Sequence, residues 1–119
     1  MKLNPKDVEA LNNRCWTRTV TGDLSNALKD CDEALRLRPG FVDALDSRGL
    51  LYLKSGKPRE AIADFDAALH INPRLTSSLY GRGLAKQRSG ATAAGERDVT
   101  NAKAMDPNIA KEFAGYGVN

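Results

Sequence analysis

Long apolar runs are missing from this chain: the longest is Leu50, Leu51, Tyr52 and Leu53, far short of the ~20 residues that a membrane-spanning helix requires. No membrane association is therefore expected. Histidine is nearly absent, and His70, without a second imidazole or a close cysteine pair, cannot assemble a structural zinc site. No cofactor is expected. There is no glycine-rich phosphate loop, no Ser or Cys motif poised beside a His, and no strand-to-helix switch point, so the chain reads as a non-enzyme. A strong field is lacking too: 18 basic against 15 acidic residues leave a net charge of +3, far from the dense basic patch of a nucleic-acid binder, and no nucleic-acid partner is expected. Met1–Asp7 carries Lys2 and Lys6 with no apolar stretch behind them, so no secretory leader is read there. The two cysteines, Cys15 and Cys31, match no close-paired metal or redox spacing. Free thiols in a reducing cytoplasm are the simplest account, which makes a cytoplasmic location the expectation. Aromatics are few, with one Trp, three Tyr and three Phe, so the core must be built mainly from Ala, Leu, Ile and Val. Ala- and Leu-rich stretches favour helix.

What the chain does have is a period. Prolines recur at Pro5, Pro39, Pro73 and Pro107, each 34 residues from the next. The same shift aligns Leu11, Leu45 and Leu79; Arg14, Arg48 and Arg82; Gly22, Gly56 and Gly90; Asp30, Asp64 and Asp98; and Ala34, Ala68 and Ala102. Within each unit apolar residues lie three and four apart, the spacing that gathers them on one helical face. In the middle unit a first helix over about 42–55 stops at Gly56, which can take the left-handed conformation that ends a helix. Pro58 suits the first turn of the second helix, which ends before Pro73. The outer units follow at about 8–21 with 25–38, and 76–89 with 93–105.

The middle unit reads Leu45, Arg48-Gly49, Tyr52, then Ala61, Phe65 and finally Pro73, and it resembles a tetratricopeptide repeat. The first unit departs from the pattern at Cys15, Arg18 and Cys31, and the third at Lys86, Gly95 and Val99. The resemblance implies an all-α fold: a right-handed α-solenoid of three helix-turn-helix repeats with a short seventh helix. One domain over residues 1–119 is expected, with repeats at about 8–41, 42–75 and 76–107 and a capping helix at about 107–116. For that cap, Asp106 reads as N-cap and Pro107 as the first helical residue, ahead of Ile109, Ala110, Phe113 and Ala114, with Gly115 and Gly117 ending it. Glu96 and Lys103 give the last repeat a polar outer face, as a terminal unit needs. Gly95 inside a helix costs on the order of 1 kcal/mol relative to Ala, which marks the third unit as the least stable. Asn4-Pro5 stands where a preceding repeat would finish, so either the chain continues a longer array or Pro5 simply starts the first helix.

In arrays of this kind the first helices line a concave groove, and the resemblance implies that a peptide or partner segment binds there. Carried onto this sequence, the groove-facing columns are Glu9, Asp43 and Ser77; Asn12, Asp46 and Tyr80; Trp16, Leu50 and Leu84; Thr19, Leu53 and Gln87; and Val20, Lys54 and Arg88. Trp16 is either a binding hot spot on an open concave surface or a residue packed between neighbouring helices. Glu9, Asp43 and Asp46 set one rim against Lys54, Lys86 and Arg88 on the other, which suits a partner of mixed charge or merely a solvated face. Chaperone-binding members of the family clamp a terminal carboxylate; the clamp columns here hold Asn12, Trp16, Ser47, Ser77 and Gly81, so that ligand is not expected. Arg14, Arg48 and Arg82 are expected to pair with Asp30, Asp64 and Asp98 and stitch each unit's helices together. Cys15 and Cys31 fall in columns that face each other, where buried inert thiols are favoured over a redox pair. The expected function is a protein-protein interaction module; the alternative is a structural array, within a larger protein or assembly, that self-associates weakly.

Overall fold

In the computed structural model, which describes residues 7–118, seven helices follow one another. They are α1 (Val8–Thr21), α2 (Leu24–Leu37), α3 (Val42–Lys54), α4 (Pro58–Ile71), α5 (Thr76–Arg88), α6 (Thr92–Met105) and α7 (Ile109–Gly115). Lys2, Lys6 and Asn4-Pro5 lie outside the described residues. The sequence dictates the boundaries by simple means. Asp7 accepts the amide of Ala10 and so caps α1. Gly22, Gly56 and Gly90 all take positive φ, and behind each the next amide returns to a carbonyl five residues back, as Asp23 does to Arg18, Lys57 to Tyr52 and Ala91 to Lys86, each at 2.8 Å. Pro58 opens α4, and Asn72 ahead of Pro73 is extended, so α4 ends at Ile71.

The units stack as α1–α2, α3–α4 and α5–α6, with the first helices side by side, into a body 44 × 27 × 24 Å. Within each antiparallel pair, residues 16 apart meet. The Arg–Asp ladder forms in all three units, each guanidinium gripping its carboxylate through two nitrogens: Arg14 on Asp30 at 2.9 and 2.7 Å, Arg48 on Asp64 at 2.7 and 2.8 Å, and Arg82 on Asp98 at 2.8 and 3.0 Å. It also does more than expected. Arg48 extends its free nitrogen to Asp32 at 3.1 Å and Arg82 to Asp66 at 3.0 Å, so the same side chains tie each unit to the one before. Burial alone would raise the Asp98 carboxyl, but hydrogen bonds from Arg82 and Lys86 outweigh it and hold the group below its ordinary value.

The next register position, also 16 residues apart, is filled differently in each unit. Phe65 lies against Gly49, Val99 against Gly83, and in the first unit Cys15 and Cys31 are joined as a disulfide with Cα atoms 5.5 Å apart. The expectation of free thiols is therefore corrected, because facing columns of a helical hairpin bring the two Cα atoms into bridging range. The case for a reducing compartment, which rested on those thiols, goes with it.

Gly95 also needs correction. A Cβ there would lie 2.5 Å from the Gly83 carbonyl oxygen and 2.9 Å from the Gln87 nitrogen, so the missing side chain is what lets α5 and α6 pack closely. An alanine at this position would meet backbone, so the close crossing requires glycine there whatever its helix propensity. Glu96 and Lys103 are exposed on the outer face of α6, as the sequence indicated.

The cap begins later than predicted. Asp106 is extended, as suits a residue before proline, and accepts the Asn108 amide at 2.9 Å in a turn over 106–108, so α7 starts at Ile109 with Asn108 as N-cap. Gly115 is its last residue and Gly117 takes positive φ just beyond. Among the described residues no helix is long and apolar enough to cross a membrane.

Candidate binding groove

The first helices α1, α3 and α5 form one wall of side chains, and the segment 109–118 lies across it. Ile109, Phe113 and Val118 are each 2% exposed and join Leu50, Leu53, Tyr80 and Leu84 in a single apolar cluster. Phe113 meets Tyr80 edge to face at 4.7 Å, and Tyr116 meets Trp16 in the same way at 5.0 Å. The apolar line expected to be open is therefore covered: Leu50, Leu53, Tyr80 and Leu84 are buried beneath the chain's own tail. The reason is the hydrophobic gain from large side chains that would otherwise face water on both surfaces.

The rest of the anticipated groove divides into three groups. Asn12, Trp16, Asp43 and Asp46 come together, with Asn13, Ser47, Ser77 and Tyr116, around a pocket of about 300 Å3. Inside it Ser47 Oγ donates to Asn12 Oδ1 at 2.7 Å, while Ser77 and Ser78 donate to the two oxygens of Asp46 at 3.0 and 2.6 Å. Trp16 stays half-buried, and Glu9 and Asp43 are exposed. Lys54 and Arg88, the basic rim, form the second group and are spent on backbone: Lys54 Nζ donates to the Thr19 and Val20 carbonyls at 2.9 and 3.3 Å, and Arg88 donates to the Leu53 carbonyl at 3.2 Å. Each thus closes the carboxyl end of the preceding unit's first helix, where a cation is favoured. Lys86 is held at 2.9 Å by Asp98. Gln87 stands apart, lying against Gly95 of α6.

Two features escaped the sequence reading. Tyr116 lines the pocket in edge-to-face contact with Trp16, and only its position one turn past Phe113 hinted at a shared face. Asn13 lines the same pocket, and nothing in its repeat column marked it.

Burial, and to a lesser degree the nearby Asp43 charge, pushes the Asp46 carboxyl above its ordinary value despite the Ser78 and Ser77 hydrogen bonds that favour ionisation. A raised folded-state value means that Asp46 contributes stability when protonated at low pH and loses it as pH rises through that value. Asp46→Asn, which keeps an acceptor for the serines, is therefore expected to melt higher than the parent at pH 7 and level with it near pH 3. Melting curves across that range check the sign, and a gap that widens on acidification would contradict it.

The Tetratricopeptide repeat family model matches residues 42–75, which are the middle unit. No curated protein matches the chain. Among solved structures, a mutant of the Thermobaculum terrenum O-GlcNAc transferase superposes with a TM-score of 0.83 at 22% identity over 98% of this chain, and the MamA protein with 0.76 at 21% over 92%. The chain spans 22% of the first and 60% of the second. At such identities the likeness shows the fold: a helical repeat solenoid.

Proposed function

We propose that the chain is a non-catalytic protein-interaction module that takes a partner segment on its concave face, entering at the pocket beside Trp16. The observation that carries this reading is the pairing of two aromatic walls, Trp16 and Tyr116, with Asp43 and Asp46 in one concave site. An aromatic on such a surface contributes large contact area at little conformational cost. The charge balance sharpens the kind of partner. Lys54, Lys86 and Arg88 are engaged within the fold, whereas Glu9 and Asp43 face solvent, so the charge offered outward at this site is acidic. A segment presenting Lys or Arg next to apolar residues complements it, with the cation free to lie over an aromatic face.

Trp16 is the only tryptophan and reports directly on this pocket. Titration with two peptides of equal apolar content, one bearing lysines and the other glutamates, is expected to change Trp16 emission for the lysine peptide alone, with roughly tenfold weaker binding to Asp43→Asn, about 1.4 kcal/mol. Equal responses to both peptides would remove the charge assignment. Concentration-dependent dimers with no peptide response would favour the structural array instead.

A further inference from the structure

We propose that the pocket beside Trp16 is a seat for one lysine side chain of the partner, and that Asp46 is the group that receives its ammonium. This rests on the concave site being the binding surface and names the group of the partner that it takes.

The withdrawn carboxylates of this chain follow a rule that Asp46 breaks. Asp30, Asp64 and Asp98 are buried, and each is gripped by an arginine of its own unit. Asp46 is taken far enough out of water for burial to be the leading influence on its carboxyl, yet among the described residues no cation meets it. Ser77 and Ser78 each give it a hydroxyl, and the charge that acts on it, Asp43, has its own sign. A carboxylate drawn from water without a counter-ion is unfavourable, and this one lines an open pocket where a counter-ion can arrive from outside. The lining suits an ammonium. Asp43 stands one turn before Asp46 on α3, and Asn12 Oδ1, which accepts from Ser47, keeps a second lone pair. Trp16 and Tyr116, in contact with ring planes 80° apart, add an aromatic corner for the lysine methylenes and the attraction of a ring face for the cation. Both Asp46 oxygens already take a serine hydroxyl, which favours a compact ammonium needing one lone pair over a guanidinium fork needing both. Among the described residues no three His, Cys, Asp or Glu side chains gather, too few ligands for a calcium or magnesium ion, so the donor set fits an organic cation.

Around Asp46, α1 brings the uncharged Asn12 and Trp16, α5 brings Ser77 and Ser78, and the tail brings Tyr116, whose phenol is pushed up by burial and by the Glu112 and Asp46 charges. A lysine therefore binds the ionised form of Asp46, and on acidification it must displace a proton. Affinity is full above the raised value of Asp46 and falls about tenfold per pH unit below it. The test uses the full chain and N-acetylated, C-amidated peptides of equal apolar content carrying one lysine, one arginine or one norleucine, followed by calorimetry and by Trp16 emission. The lysine peptide is expected to bind tightest. Asp46→Asn is expected to bind it about tenfold or more weakly while melting higher than the parent at pH 7. Wild type, measured in buffers of different ionisation enthalpy, is expected to release a proton on binding, increasingly so as pH falls. Lost binding together with a lower melting temperature would make Asp46 a structural residue and overturn the proposal. Arginine or norleucine peptides that bind as tightly as the lysine peptide, or lysine binding with no proton release, overturn it too. The two readings fail separately: if Asp43→Asn weakens the lysine peptide and Asp46→Asn does not, the acidic site stands and the Asp46 seat falls. If no peptide gives heat or alters Trp16 emission, both fall.

Discussion

Phe65→Ala is expected to cost about 3–5 kcal/mol, and Gly49→Ala, harmful on its own, is expected to become neutral or favourable in that background. Phe65 is 1% exposed and lies between two glycines: a Cβ at Gly49 or at Gly81 would come within 2.5 Å of its ring. The ring cannot retreat from one without meeting the other. In the parent, Gly49→Ala therefore sets a helix-propensity gain of about 1 kcal/mol against overpacking of about 1–3 kcal/mol, and the two backbones are forced apart. Once the ring is gone, the three heavy atoms nearest the new methyl at position 49 are gone with it, which relieves the overpacking and leaves the propensity gain. A double-mutant cycle by denaturant unfolding should give a coupling of roughly 2 kcal/mol. Additive costs would mean that the glycine is not there for the ring.

Reduction of the Cys15–Cys31 disulfide is expected to cost about 3 kcal/mol, the loop-closure entropy of a crosslink spanning about 15 residues. For a chain of this length that corresponds to a melting temperature lower by on the order of 10 °C. Melts of the oxidised protein with and without a phosphine reductant measure it, and the Cys15→Ala/Cys31→Ala variant should be indifferent to the reductant. Native thiols that alkylate freely without reduction, with no change in the melt, would refute the bridge.

The period made most of the architecture legible. Gly22, Gly56 and Gly90 placed the ends of the first helices, Pro58 and Pro73 bracketed α4, and the Arg and Asp columns gave the ladder before any coordinates. The facing of Cys15 and Cys31 was legible, whereas their bonding was not, because two buried thiols and a bridge show the same letters at a separation of 16. It is the register of the hairpin, the one that also joins Arg48 to Asp64 and Phe65 to Gly49. Gly95 sits in a close crossing with Gly83 and Gln87, outside that register, where propensity yields to backbone approach. The candidate site was only partly legible. Asn12, Trp16, Asp43 and Asp46 converge as their columns suggested. That Lys54 and Arg88 would serve carbonyls could not be read, because backbone acceptors leave no letter in a sequence. Nor could the seat of α7: local spacing reveals that a helix forms and which of its faces is apolar, but not which surface receives that face.

The Lys54 and Arg88 caps give the solenoid a polarity. Each cation reaches back across about 35 residues to finish a helix it does not belong to, so a unit depends on its successor for a completed carboxyl end, and no successor depends on its predecessor in that way. In a one-dimensional array, where stability is a sum of unit and junction terms, each cap belongs to a junction term, beside the Arg48–Asp32 and Arg82–Asp66 links, so its loss weakens the coupling of both neighbours equally while leaving each unit's own core in place.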